Sequence, residues 1–121
     1  MKSYTIQNDT EAGNEKLMKY KPNTSAQTFV INKLVTIFVT SNTIEIAEMK
    51  TDSPRVNVYF NRNIERVKFK QENNVDMLEI YYNNNDAFQF SVNKTRSNNL
   101  KSLTTINNLY GFLMQSLRMR M

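Results

Sequence analysis

The chain has no cysteine, no histidine and no tryptophan, and only two glycines and two prolines in 121 residues. Without cysteine there is no disulfide framework, no thiolate nucleophile and no sulfur ligand for a structural zinc. Without histidine there is no imidazole to act as a base near neutral pH or to bind a metal. Gly13 and Gly111 stand too far apart to build a GxGxxG or GxxxxGK[ST] phosphate cradle. No hydrophobic run approaches the ~20 residues of a membrane-spanning helix, and the opening MKSYTIQNDTEAGNE lacks the apolar stretch of a secretory signal. These absences lead to the expectation of a nuclear or cytoplasmic protein with no cofactor, no metal and no catalytic site. The remaining acid–base candidates are Glu45 with Glu48 and Asp76 with Glu79. Each pair lies on a segment that alternates as a strand does, where carboxylates are expected to be solvated.

What is present reads as one domain with a sizeable core. Lysine and arginine exceed aspartate and glutamate by 16 to 11, a net charge of +5 that favours acidic partners in general terms. Asparagines, including the run Asn83, Asn84 and Asn85, fall at the ends of apolar segments, where they suit turns and positive φ. Residues 1–15 are polar apart from SYTIQ and are expected to form a flexible N-terminal tail or an edge strand, with the domain proper over 16–121.

From Glu15 onward, short apolar segments alternate with polar turns. KLMKY (16–20), TFVIN (28–32), LVTIFVTS (34–41), IEIAEM (44–49), RVNVYF (55–60), IERVKFK (64–70), DMLEIYY (76–82) and AFQFSV (87–92) predict a mainly β chain of about seven short antiparallel strands. Alternation assigns the faces. Val56, Val58 and Phe60 are expected to face the core, opposite Arg55, Asn57 and Tyr59; Val67 and Phe69 oppose Arg66, Lys68 and Lys70; Leu78, Ile80 and Tyr82 oppose Met77, Glu79 and Tyr81. LVTIFV is apolar on both sides, so each of its faces needs a cover. After Val92 the period changes: Leu100, Leu103, Ile106, Tyr110, Leu113, Met114 and Leu117 recur at three and four, the stripe of an amphipathic helix. Ser97 or Asn98 is expected to cap it, and Arg118 and Arg120 to complement its dipole. Gly111 interrupts its interior, either merely tolerated or required by close packing on the sheet.

This order, strands followed by one long C-terminal helix, resembles the pleckstrin-homology (PH) superfold. The similarity is carried most by IERVKFKQENNVDMLEIYY and then DAFQFSVNKTRSNNLKSLTTINNLYGFL. It implies a split barrel of two orthogonal antiparallel sheets with a C-terminal helix plugging one end. The pattern is most similar to PH-like domains of nuclear proteins that dock protein segments. Lipid-binding PH domains carry a lysine and a basic-x-Arg triplet on their first hairpin; the matching stretch KLMKYKPNTSAQTFVINK has Lys16, Lys19, Lys21 and Lys33 but no arginine. The tryptophan usual in the helix is also absent, leaving its core role to Tyr110 or Phe112.

Three binding readings follow. The first is a non-catalytic protein-interaction module, with Phe112, off the helical stripe, and Leu109, at its edge, as exposed partner-binding residues. In the second, Lys16, Lys19, Lys21 and Lys33 bind phosphoinositide or another acidic ligand at a membrane surface. The third sets Arg55, Arg66, Lys68 and Lys70, with Tyr59 and Tyr81, as a nucleic-acid face. Against the third, Glu79 is expected to fall close to the basic row if 64–70 pairs with 76–82, which favours an ordinary solvated face.

Overall fold

The computed structural model describes residues 1–7, 15–51, 53–95 and 100–118. Among these residues, eight strands form two four-stranded sheets. β1 (Lys2–Thr5), β8 (Ala87–Asn93), β7 (Val75–Tyr82) and β6 (Ile64–Glu72) make one, in that order; β2 (Gln27–Asn32), β3 (Val35–Val39), β4 (Thr43–Lys50) and β5 (Ser53–Phe60) make the other. A short helix, α1 (Glu15–Met18), precedes β2, and a long one, α2 (Leu100–Arg118), closes the described chain. The protein is thus mainly β with one long C-terminal helix. The sheets stay separate and do not close into a barrel.

Turn chemistry sets the registers. Asn73 and Asn74 both take positive φ, 50° and 64°, the pair of left-handed residues that a tight hairpin between β6 and β7 demands. That turn places Glu72 opposite Val75 and, further along, Lys68 opposite Glu79. Asn85, at φ 72°, serves the β7–β8 turn in the same way. Between β5 and β6 the chain changes sheets through a 3-10 turn, Asn61–Asn63. The buried Asn61 holds this corner, its backbone N–H donating to the Asn42 carbonyl at 2.8 Å and its side-chain amide to the Thr40 carbonyl at 3.1 Å.

The main core lies where the inner faces of both sheets meet α2. Ile37, Ile44 and Ile46 from one sheet, Leu78, Ile80 and Phe90 from the other, and Ile106, Leu109 and Leu113 from the helix share one buried cluster. Each such side chain, fully withdrawn from water, stabilises the fold by about 1.5–3 kcal/mol before entropy is counted. A second, smaller cluster sits on the outer face of the β2–β5 sheet, where Leu17 and Ala26 cover Phe38 and Ala47. This is the cover that the two-sided apolarity of LVTIFV requires: every residue of β3 is buried.

Three expectations need correcting, and the N-terminal stretch takes one of its two expected forms. Residues 15–18 are helical rather than a strand, because Leu17 and Tyr20, three apart, both reach the outer cluster from one side of a turn. Of the two forms expected for the N-terminal stretch, Lys2–Thr5 takes the edge strand, paired in parallel with β8, with Tyr4 and Ile6 buried. Beyond β1, the Gln7 N–H donates to the Ile31 carbonyl at 2.7 Å and ties this strand to the other sheet. The faces of β5 are reversed: Tyr59 packs into the main core, and Val58 and Phe60 stand nearly half exposed on the outer face. Finally, a β-carbon on Gly111 would meet nothing within 4 Å, so close packing is not the reason for that glycine. The expected caps Ser97 and Asn98, and Arg120, lie outside the described residues.

Candidate functional site

The basic strand face is held by its own neighbours. Lys70 Nζ lies 3.0 Å from Glu79 Oε1, and the Tyr81 hydroxyl donates to Glu79 Oε2 at 3.0 Å. These contacts, the Lys70 hydrogen bond first, hold the Glu79 carboxyl below its ordinary pKa despite the opposing effect of burial. The same hydrogen bond raises the Lys70 ammonium. Arg66 lies 4.4 Å over the Tyr81 ring and Lys68 5.8 Å from it, so Tyr81 lies beneath the two cations. Tyr59 belongs to the other sheet and packs against the core, its ring 5.4 Å from that of Tyr82 and 5.0 Å from that of Phe88. Arg55 is on β5, in the other sheet from Arg66, Lys68 and Lys70. The six residues of the nucleic-acid reading therefore do not form one surface.

The lysines of the acidic-ligand reading are not on one hairpin. Lys16 belongs to α1, Lys19 and Lys21 to the turn after it, and Lys33 to the β2–β3 connection. Lys16, Lys19 and Lys33 are exposed, and Lys19 lies 5.3 Å over the ring of Tyr20.

The expected exposure of Leu109 and Phe112 is corrected. Leu109 is fully buried, and Phe112 is half-buried against the ring of Phe29, with 6.5 Å between centroids. The helix rests on β2, β7 and β8, and Phe112 lies on the β2 side of that contact.

The carboxylates are not solvated as expected. Glu48, Asp76 and Glu79 are buried, each beside lysine: Asp76 lies 3.0 Å from Lys94, and Glu48 lies 3.9 Å from Lys2 and 4.0 Å from Lys50. Glu45 accepts from the Thr43 hydroxyl at 3.2 Å. On a strand, residues three apart point to opposite faces. Neither Glu45 with Glu48 nor Asp76 with Glu79 can thus share a proton-transfer site. Among the described residues, no group of three or more acidic side chains gathers to hold a metal ion. Burial also raises the hydroxyl pKa values of Tyr4 and Tyr82, with the Glu48 carboxylate adding to the effect at Tyr4 and Tyr59 at Tyr82.

The most exposed apolar side chains of the described strands stand on β5. Val58 is 47% and Phe60 46% exposed, both on the outer face of β5. Val56, on the same face, is partly buried in the outer cluster under α1, so the patch begins where the helix ends its cover. Arg62 lies 5.1 Å over the Phe60 ring. The sequence held a signal for it. A two-residue connection after Lys50 pairs Lys50 with Ser53 and hence Ile44 with Tyr59. Directly opposite residues share a face. Since Ile44 is core, Tyr59 is too, and Val58 and Phe60 must point outward.

Comparison with protein-family models, with curated proteins and with solved structures gave no match to this chain. Among the described residues, no helix is long and apolar enough to cross a membrane.

Proposed function

We propose that this chain is a non-catalytic protein-interaction module with a PH-like fold, which holds a segment of a partner within a larger assembly. The fold part of this reading is supported by the order of elements: one sheet made of β2 to β5, a second containing β6 to β8, then a helix packed on strands of both. β1 is an addition to that plan.

The observation that carries the functional part is the position of Val58 and Phe60. Isolated exposed apolar residues are ordinary, but these two are alternate residues on one face of a strand that ends its sheet. Phe60 in particular offers a large ring to a partner. The surface thus moves from α2, where Leu109 and Phe112 are engaged in packing, to β5.

The test is partner capture by cross-linking from native extract, comparing the unmodified chain with Val58→Ser and Phe60→Ser. Cross-links clustering on β5 and lost in both variants, with the thermal midpoint unchanged, are expected. Cross-links indifferent to both substitutions would remove β5 from the binding surface, and their complete absence would defeat the interaction reading.

A further inference from the structure

The edge of β5 differs from the other edge that faces its corner. β6, the edge strand of the second sheet, carries Glu65 and Glu72 among Arg66, Lys68 and Lys70, and it turns Val67 and Phe69 toward the core. Its charges compensate each other. Among the described residues β5 pairs only with β4 and has Val58 and Phe60 exposed. It carries Arg55, opposite Glu48 in the register, and the turn after it carries Arg62; neither arginine lies within 4 Å of a carboxylate among the described residues, where Glu48 is approached by Lys2 and Lys50. Both arginines are exposed.

An edge strand presents unpaired N–H and C=O groups, which natural proteins guard with proline, charge or brevity. Here the guard covers only the beginning. Pro54 removes one donor near the start of the strand, and Arg55 follows it. From Val56 to Phe60 no proline or charge interrupts the edge.

We infer that β5 is extended by a strand from a partner protein, which forms a backbone ladder with residues 55–60 and whose side chains alternate between apolar and acidic. The inference rests on the interaction-module reading above. The backbone supplies the attachment, as in other strand additions. Apolar side chains of the added strand lie beside Val58 and Phe60, on the same outer face. Acidic ones pair with Arg55 and, beyond the end of the strand, with Arg62, neither of which makes an ion pair among the described residues. A second copy of this chain fits less well, because two β5 strands laid together with the turns that follow them would bring four arginines and no carboxylate of their own to one edge.

The experiment uses the intact chain against a displayed library of random peptides. Enriched peptides should alternate apolar residues with Asp or Glu. Titrating one of them into isotope-labelled protein should shift backbone amides over 55–60 more than elsewhere, and N-methylating alternate amides of the peptide should abolish binding. Arg55→Glu with Arg62→Glu should weaken it by about tenfold or more, at an unchanged thermal midpoint. Enrichment of basic peptides, amide shifts centred on another surface, or no enrichment at all would overturn the inference. So would a dimer in sedimentation equilibrium that Val58→Ser dissociates, since the edge would then hold a second copy. A captured partner that cross-links away from β5 would leave an interaction module standing and defeat only the strand addition.

Discussion

The ring of Phe112 in α2 meets that of Phe29 in β2 edge to face, with centroids 6.5 Å apart and planes at 61°. The pair fastens the helix to the sheet that does not contain β7 and β8. A half-buried phenylalanine in such a pair stabilises by its buried area and by about 0.5–1.5 kcal/mol of ring interaction. Phe112→Ala should therefore lower stability by roughly 1–3 kcal/mol, below the 3–5 typical of a fully buried phenylalanine. Leu109→Ala, from a fully buried position, should cost roughly 2–5 kcal/mol. Urea titration of both variants checks this; an unchanged midpoint for Phe112→Ala would mean that the ring contact contributes nothing.

Gly111 offers the opposite case. The site is helical, exposed and open around a prospective β-carbon. Replacing glycine by alanine there restricts the unfolded chain without a steric conflict. Gly111→Ala should raise stability by about 0.5–1 kcal/mol, measured as an upward shift of the thermal midpoint. A fall would point to strain at that turn of the helix.

The pH profile should have two limbs of distinct origin. Glu79 is held below its ordinary 4.5 in the fold, so it binds protons less readily there than in the unfolded chain. Its stabilisation is present above the unfolded value and is lost as pH falls through the folded one. Tyr4 and Tyr82 are raised above 10.0, so their contribution is complete below that value and is lost as pH rises beyond it. Stability measured across pH should then fall at both ends. Glu79→Gln should flatten the acid limb, and Tyr82→Phe the alkaline one; limbs unaltered by these substitutions would assign the transitions to other groups.

Nucleic acid should bind weakly and without regard to sequence. Lys70 is engaged with Glu79, Arg66 and Lys68 lie over Tyr81, and Tyr59, in the other sheet, packs against the core. The aromatic platform that single-strand binders use is missing from this face. Fluorescence anisotropy with a labelled oligonucleotide should show low affinity that falls away with salt. A submicromolar affinity at physiological salt, lost on Lys68→Glu, would make this face a nucleic-acid site.

Much of the architecture was legible in the order of residues, because local rules set it. Period-two alternation marked seven strands from β2 to β8, a change to spacing of three and four marked α2, and asparagine marked the left-handed positions at 73, 74 and 85. Even the approach of Glu79 to the basic row followed from counting back from one turn. The rest depended on which surfaces met. Five residues, KLMKY, are too few to separate a period of two from one of 3.6, and the outer face of β3 made the choice by accepting Leu17 and Tyr20 on one side of a helical turn. In RVNVYF both faces are apolar enough for the core; the register to Ile44 sent Tyr59 inward and left Val58 and Phe60 outside. Phe112 looked exposed on a wheel drawn for a helix alone, and Phe29, eighty-three residues earlier, covers it. Hydrophobicity and spacing say that a side chain should be buried, whereas the partner that buries it is a long-range contact no local pattern contains.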